Sequence, residues 1–143
     1  MLSRIMSGHE GELLLKLVVS LACGFAIGVE RESRGKPAGI STNSFVIGGA
    51  ALFTFISVAM DPNSPARIAA QVVSGVGFLG AGMILKSDKD GTVTNLTTAA
   101  SIWFSAAIGM AIGFGWYVVA GAAALYAILV PRIPHISKIN QDR

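Results

Sequence analysis

The chain has 143 residues, of which 52% are hydrophobic and 13% are charged, and its formal net charge is +3. Soluble domains carry about 25% charged residues, so this composition excludes an ordinary water-soluble protein covered by charged side chains. A single cysteine excludes an internal disulfide and a cluster of thiolate metal ligands. The chain is therefore predicted to be a membrane protein with one domain.

The charged residues divide the chain into apolar segments of the length that a membrane requires. About 20 helical residues, each rising ~1.5 Å, cross a bilayer core about 30 Å thick. The uncharged runs predict five helices, at residues 12–29, 42–60, 67–85, 95–112 and 116–130. A β-barrel would need short alternating segments, and a soluble bundle rarely contains five continuous apolar segments of this length.

The distribution of lysine and arginine predicts the orientation of these helices. Most basic residues lie in the loop after the first helix, in the loop after the third and in the C-terminal tail, and basic loops stay in the cytoplasm. We therefore predict an all-α, polytopic bundle with its N-terminus outside and its C-terminus in the cytoplasm. It would consist of a short extracytoplasmic N-terminus (residues 1–11), a five-helix transmembrane domain (residues 12–131) and a short cytoplasmic tail (residues 132–143).

A polar segment joins the first and second helices on the predicted cytoplasmic side. Glu30 and Arg34 are four residues apart and can pair on one helical face. Hydroxyl and amide side chains open the second and fourth helices, where they can cap free backbone N–H groups. Alternatively, the two positive helix ends and Glu30 form a recognition surface, a functional polar rim made of Glu30, Arg31, Lys36, Asn43, Asn95, Thr97 and Thr98.

The third helix carries a G-x-G-x-x-G pattern at Gly75, Gly77 and Gly80. A dinucleotide site needs this pattern between a strand and a helix, with an acidic residue about 20 positions later. Here the glycines lie in the middle of an uncharged span, so the pattern does not indicate a nucleotide. No basic stripe interleaved with aromatic residues indicates binding to nucleic acid either.

Small residues predict how the helices pack. On the third helix they recur at steps of three and four, which places them on one face, and such faces let helices approach closely in lipid. We therefore expect the third helix to be the centre of the bundle. A homo-oligomer or a foreign transmembrane helix could also use one of these faces. The predicted helix-packing residues are Gly24, Gly28, Ala70, Gly75, Gly77, Gly80, Ala81 and Gly82.

A second polar group lies near the predicted outer surface. Arg67, Gln71 and Ser74 follow one another at steps of four and three along one face of the third helix. In one interpretation Arg67 extends toward the lipid headgroups while its neighbours are satisfied locally. In the other, the three residues form a functional polar notch that orients a partner or an ion.

Residues suited to catalysis or metal binding are not brought together by the sequence pattern. All eight carboxylates lie at predicted helix ends, in loops or in tails, whereas a proton-coupled pump would need one near the bilayer centre. No nucleophile–base pair can be placed, and His9 and His135 lie at opposite ends of the chain. We therefore predict no enzyme activity, no catalytic residues, no metal site and no cofactor.

Over about residues 24–117 the chain resembles the MgtC/SapB family of bacterial inner-membrane proteins. The matching segments are residues 28–32 (GVERE), 36–40 (KPAGI), 49–53 (GAALF), 61–62 (DP), 67–82 (RIAAQVVSGVGFLGAG) and 96–103 (LTTAASIW). Two positions depart from the family pattern. Ser41 stands where the family often has arginine, and Thr97 stands where some members have asparagine.

The resemblance implies a five-helix, multi-pass inner-membrane protein without known enzymatic chemistry. Members are associated with growth at low magnesium and with virulence, and modulation of the ATP synthase has been proposed for them. We therefore expect a regulatory protein embedded in the lipid bilayer that contacts other membrane proteins, with the ATP synthase as a candidate partner, and that forms a homo-oligomer. Many members carry a soluble C-terminal domain that this chain is expected to lack.

The alternative is a small ion channel or transporter for Mg²⁺ or another cation, in which backbone carbonyls and hydroxyl groups line an oligomeric pore. Ion flux from liposomes would favour this alternative, and a membrane partner without flux would favour the regulatory protein.

Overall fold

The computed structural model describes residues 8–86 and 93–134. The described residues form five α-helices, which agree with the five predicted helices to within a few residues at each end. A two-residue antiparallel ribbon (β1, Leu85–Lys86; β2, Val93–Thr94) joins the third helix to the fourth. The helices are α1 (Glu10–Ser33), α2 (Ile40–Met60), α3 (Ala66–Met83), α4 (Leu96–Gly113) and α5 (Tyr117–Leu129), followed by a 3-10 turn at Val130–Arg132.

Helices α1 to α4 are each long and apolar enough to cross a membrane, whereas α5 has 13 residues before the 3-10 turn. The helical membrane bundle is therefore confirmed, and the prediction that α5 also crosses the bilayer stays a prediction. One end of the bundle carries the α1–α2 loop, the ribbon, the start of α4 and the turn after α5. We call it the ribbon end.

Helix α4 is the centre of the bundle. It packs against each of the other four helices, and within an 18-residue window 56% of α4 is buried, compared with 17% of α3. Two glycines bring α4 close to α2, because an added Cβ on Gly109 would strike the carbonyl oxygen of Ile47 and one on Gly113 would strike Thr54. The largest fully buried apolar side chains are Ile27, Ile47, Ile102, Ile108 and Ile112.

The prediction that the third helix is the centre of the bundle is wrong. Helix α3 packs mainly against α4 and, less extensively, against α2. Within the described part of the chain, an added Cβ on Gly75, Gly77 or Gly82 would meet no atom within 4 Å. Spacing of small residues permits close approach but does not choose the neighbour. The predicted face of small residues on the third helix therefore lies on the outer surface. Its exposed members are Ala66, Ala70, Ser74, Gly77 and Ala81.

The other predicted packing glycines lie between helices. Gly24 faces the backbone of Ser44 and Gly28 faces that of Ile40, so α1 and α2 approach closely along this pair. Gly80 is buried against Ala99 of α4. Small residues therefore line the contacts of α1 with α2 and of α3 with α4.

A buried lysine joins α1 to the end of α4 opposite the ribbon end. The Nζ atom of Lys16 donates a hydrogen bond to the carbonyl oxygen of Gly113 at 2.9 Å and pairs with Glu12 at 2.7 Å. An ammonium group is favourable at a helix C-terminus, where the helix dipole is negative. This contact was not predicted from the sequence.

Candidate functional site

The last turn of α1 places two charged residues of the polar rim in the protein interior. Glu30 is 4% exposed, and its Oε1 atom accepts a hydrogen bond from Arg34 Nη1 at 3.2 Å, which confirms the predicted pair. The Nε atom of Arg132 lies 3.9 Å from the same oxygen. The carboxylate of Glu30 is therefore held by two guanidinium groups.

Arg31 ties α1 to the start of α4. It is 2% exposed, and its Nη2 atom donates to the carbonyl oxygen of Pro37 at 3.1 Å and to the hydroxyl oxygen of Thr98. Its Nε atom is buried and has no hydrogen-bond partner among the described residues. A guanidinium group remains charged at any pH a protein experiences, so a buried positive charge lies here with one donor unsatisfied.

Arg31 lines a cavity of about 550 Å³ at the ribbon end, which we call the ribbon-end pocket. Arg34 and Lys36 line the pocket from the α1–α2 loop side, and the first residues of α4 line it from another side. Of the seven residues of the predicted rim, the pocket brings together Arg31, Lys36, Asn95, Thr97 and Thr98. Apolar side chains complete the wall, namely Val93, Leu96, Val130, Pro131, Ile133 and Pro134.

Asn43 lies apart from this pocket, in the core between α2 and α4. Its Nδ2 atom donates to the carbonyl oxygens of Ala38 and Gly39, at 2.7 and 2.9 Å. Its Oδ1 atom accepts a hydrogen bond from the hydroxyl group of Ser105 at 2.8 Å. Asn43 is fully buried, so its contacts here fix the start of α2 against α4.

At the start of α2 the cap is not one of the predicted hydroxyl or amide side chains. Helix α2 begins at Ile40, two residues earlier than predicted, and the Ile40 N–H donates to Oε1 of Glu32 at 2.9 Å. Asn95 precedes α4 with a positive φ of 63°, and its side chain makes no capping hydrogen bond. The capping interpretation is therefore wrong at the start of α2, and at α4 it is wrong for Asn95. Glu32 was missed because it lies eight residues before the N–H that it binds.

The polar notch at the opposite end is only partly assembled. Arg67 and Gln71 line a cavity of about 430 Å³ together with Asp61 and Ser64. Ser74 is exposed one turn further along α3 and does not line this cavity. The notch is therefore a shallow polar site at the α2–α3 loop, and it includes an acidic residue that the prediction left out.

The outer surface of α3 forms a separate feature, which we call the α3 face. It consists of the small exposed residues Ala66, Ala70, Ser74, Gly77 and Ala81. Beside it, an apolar groove of about 380 Å³ separates α3 from α2 and is lined in part by Phe45, Phe53, Gly75 and Leu79.

The model of the MgtC family matches residues 17–135. Protein MgtC of Salmonella typhimurium strain LT2 is 46% identical over 112 residues, which cover 78% of this chain and 48% of the relative. "Putative magnesium transporter YhiD" of Escherichia coli strain K12 is 43% identical over 137 residues, covering 87% of this chain and 61% of the relative. An uncharacterized protein of Synechocystis is 48% identical over 107 residues.

The chain thus spans about half the length of the curated relatives that it matches. No solved structure matches it. Within the described residues, no group of three or more histidine, cysteine, aspartate or glutamate side chains is placed to hold a metal ion.

Proposed function

Because the chain belongs to the MgtC family, we propose that it is a regulatory protein of the bacterial inner membrane that acts through contacts with other membrane proteins. This role would serve adaptation to low magnesium, and the name of the relative YhiD connects that protein with magnesium. The observation that carries the proposal is the α3 face, which is exposed along the length of an apolar helix.

The chemistry of the α3 face suits a transmembrane helix as its partner. Lipid tails are as apolar as leucine, so helices associate in a membrane through close packing of small residues. An added Cβ on Gly77 meets no described atom within 4 Å, which leaves its backbone accessible to a neighbouring helix. The groove beside the face, lined by Phe45 and Gly75, could receive larger side chains of the same partner.

The partner that we propose is a membrane subunit of the ATP synthase, and a second copy of this chain would use the same face in a homo-oligomer. The ribbon end would face the cytoplasm, because it holds Arg31, Arg34 and Lys36. A contribution to virulence would follow from survival at low magnesium.

A second candidate is a cation transporter, which the name of YhiD favours. Buried hydroxyl groups of Ser20, Ser44 and Thr54 have no hydrogen-bond partner within the described segments. Hydroxyl and carbonyl oxygens suit hard cations such as Mg²⁺. Transport would require these oxygens to line a path across the bundle or between copies of it.

Blocking the α3 face tests the regulatory proposal. We expect Gly77→Leu to abolish support of growth at low magnesium in cells that depend on this protein, because the added side chain separates the partner helix from the face. A photoreactive residue at position 77 should also crosslink to an ATP synthase membrane subunit. Val118→Leu is the matched control, since Val118 is 87% exposed on α5. Full growth with Gly77→Leu would contradict the proposal.

Magnesium flux separates the two candidates. The purified chain would be placed in liposomes that contain a magnesium-sensitive dye, beside empty liposomes. The regulatory proposal expects equal dye signals in both preparations. Magnesium entry that depends on the protein would overturn it in favour of transport.

A further inference from the structure

We propose that the ribbon-end pocket binds a phosphate group, supplied either by inorganic phosphate or by the headgroup of an anionic phospholipid. This site is independent of the α3 face and of the proposed regulatory function. Three observations carry the inference: the charge of the pocket, a buried arginine with a donor that is unsatisfied among the described residues, and the N-terminus of α4 in the pocket wall.

The pocket is positively charged. Arg31, Arg34 and Lys36 line it, and no carboxylate is among the described residues that do. Glu30 pairs with Arg34 but is not part of the lining. Arginine and lysine are the side chains that proteins use to bind phosphate, and arginine can do so through two parallel N–H···O bonds.

The side chain of Arg31 places a buried positive charge with an unpaired donor at the wall of the pocket. Arg31 is 98% buried, and one nitrogen of its guanidinium group, Nε, has no partner in the described part of the chain. Nη2 is already held by Pro37 and Thr98, so the plane of the group is fixed at the wall of the pocket. A buried charged donor without an acceptor is costly, and a phosphate oxygen would supply that acceptor.

The start of α4 adds backbone donors to the same pocket. The helix has 18 residues, and Asn95 is its N-cap. In the first backbone hydrogen bond of its first turn, the Ala99 N–H donates to the Asn95 carbonyl at 2.9 Å. The amide groups of Leu96, Thr97 and Thr98 precede it, so they have no acceptor within the helix. The side chain of Asn95 makes no capping hydrogen bond. A helix N-terminus favours phosphate through its free N–H groups and through the helix dipole.

The position and the walls of the pocket allow both sources of the phosphate group. The pocket lies where α1, α4 and α5 end or begin, which is the depth of lipid headgroups if these helices span the bilayer. Its cationic side is polar, whereas Val93, Leu96 and Val130 offer an apolar wall that acyl chains could follow. Basic pockets between transmembrane helices bind anionic lipid headgroups elsewhere.

The experiment uses the full chain in maltoside micelles without phospholipid. In the first arm, inorganic phosphate is titrated against chloride at equal ionic strength, and binding is followed by broadening of the phosphate signal in phosphorus NMR. In the second arm, phosphatidylglycerol is added to the micelles, and bound lipid is counted by native mass spectrometry. Saturable binding of inorganic phosphate identifies the free anion. Saturable binding of phosphatidylglycerol alone identifies the lipid headgroup.

Variants locate the site. Arg34→Gln combined with Lys36→Gln should weaken binding by about tenfold or more, since hydrogen bonds to charged groups are the stronger ones. Lys36→Gln alone should weaken phosphate binding by about threefold, as expected for an exposed charge. This single variant keeps the test valid if the double variant does not fold. Arg67→Gln is the matched control, because it removes the same charge at the opposite end of the bundle.

Two results would overturn the proposal. One is an absence of saturable binding in both arms. The other is an equal loss of affinity in Arg67→Gln and Lys36→Gln, which would mean that the ligand responds only to net charge. Gly77→Leu should leave phosphate binding unchanged, so failure of this site and failure of the proposed function can be told apart.

Discussion

Helices α3 and α4 each contain 18 residues and are rich in small side chains, yet they hold opposite positions in the bundle. Helix α4 is enclosed by the other four helices, whereas α3 turns most of its surface outward. In α4, the positions of Gly109 and Gly113 are pressed against α2. In α3, the positions of Gly75 and Gly77 are open. Glycine in a membrane helix therefore shows where close approach is permitted, not where it occurs within the chain.

The different surroundings of these glycines have different energetic consequences. At Gly109 the α2 backbone occupies the space that a side chain would need, and contact of this kind allows weak Cα–H···O hydrogen bonds between helices. At Gly77 the described part of the chain gives no such contact, so this glycine contributes nothing to the packing among the described helices. Its contribution, on our proposal, comes from another protein.

The largest expected effect comes from filling the α2–α4 contact. Gly109→Leu should destabilise the fold by about 3 kcal/mol or more, because overpacking at a rigid backbone leaves the helices no way to adjust. The measurement is thermal unfolding of the purified protein in detergent, followed by circular dichroism. An unfolding temperature equal to that of the unmodified protein would show that α2 and α4 do not meet at Gly109.

A smaller loss is expected from the polar contact between the same two helices. Asn43→Leu leaves the hydroxyl group of Ser105 and the carbonyl of Ala38 without this partner, whereas the Gly39 carbonyl keeps the backbone N–H of residue 43. The loss should cost about 1–2 kcal/mol. The same unfolding measurement checks it. Thr42→Leu is the neighbouring control, since Thr42 is exposed. Equal stability of the two variants would show that the hydrogen bonds of Asn43 do not stabilise the fold.

The smallest expected effect belongs to α3. Gly77→Leu should leave the stability of the monomer unchanged or raise it by up to about 1 kcal/mol, because leucine has the better helix propensity and meets no neighbour. Gly77→Leu on α3 makes the same glycine-to-leucine change as Gly109→Leu on α4, so the two variants can be compared directly. A large loss of stability in both variants would show that α3 is enclosed after all, and the comparison between the two helices would fail.

Much of the fold follows from local sequence properties. The uncharged runs predict the five helices because a helix in lipid must satisfy its backbone internally and cover itself with apolar side chains. The pairing of Glu30 with Arg34 follows from a spacing of four residues. The ribbon of Leu85–Lys86 with Val93–Thr94 was missed, because two-residue strands leave no periodic signal.

The ribbon-end pocket was predictable in its composition but not in its arrangement. Sequence reasoning selected Arg31, Lys36 and Thr98 because they are polar residues at helix ends on one side of the membrane. It could not show that Arg31 would reach Thr98, which lies 67 positions away. Nor could it show that Asn43 is buried in the core and does not line the pocket.

By itself, the sequence determined that this is a membrane protein and approximately where the five described helices begin and end, since these depend on the local match between side chains and lipid. Only the tertiary structure decided that α4 is central, that α3 is peripheral and that Arg31 is buried with one donor unpaired among the described residues. Helices of similar apolarity exchange places in lipid at little cost, so their order depends on contacts between residues far apart in the chain.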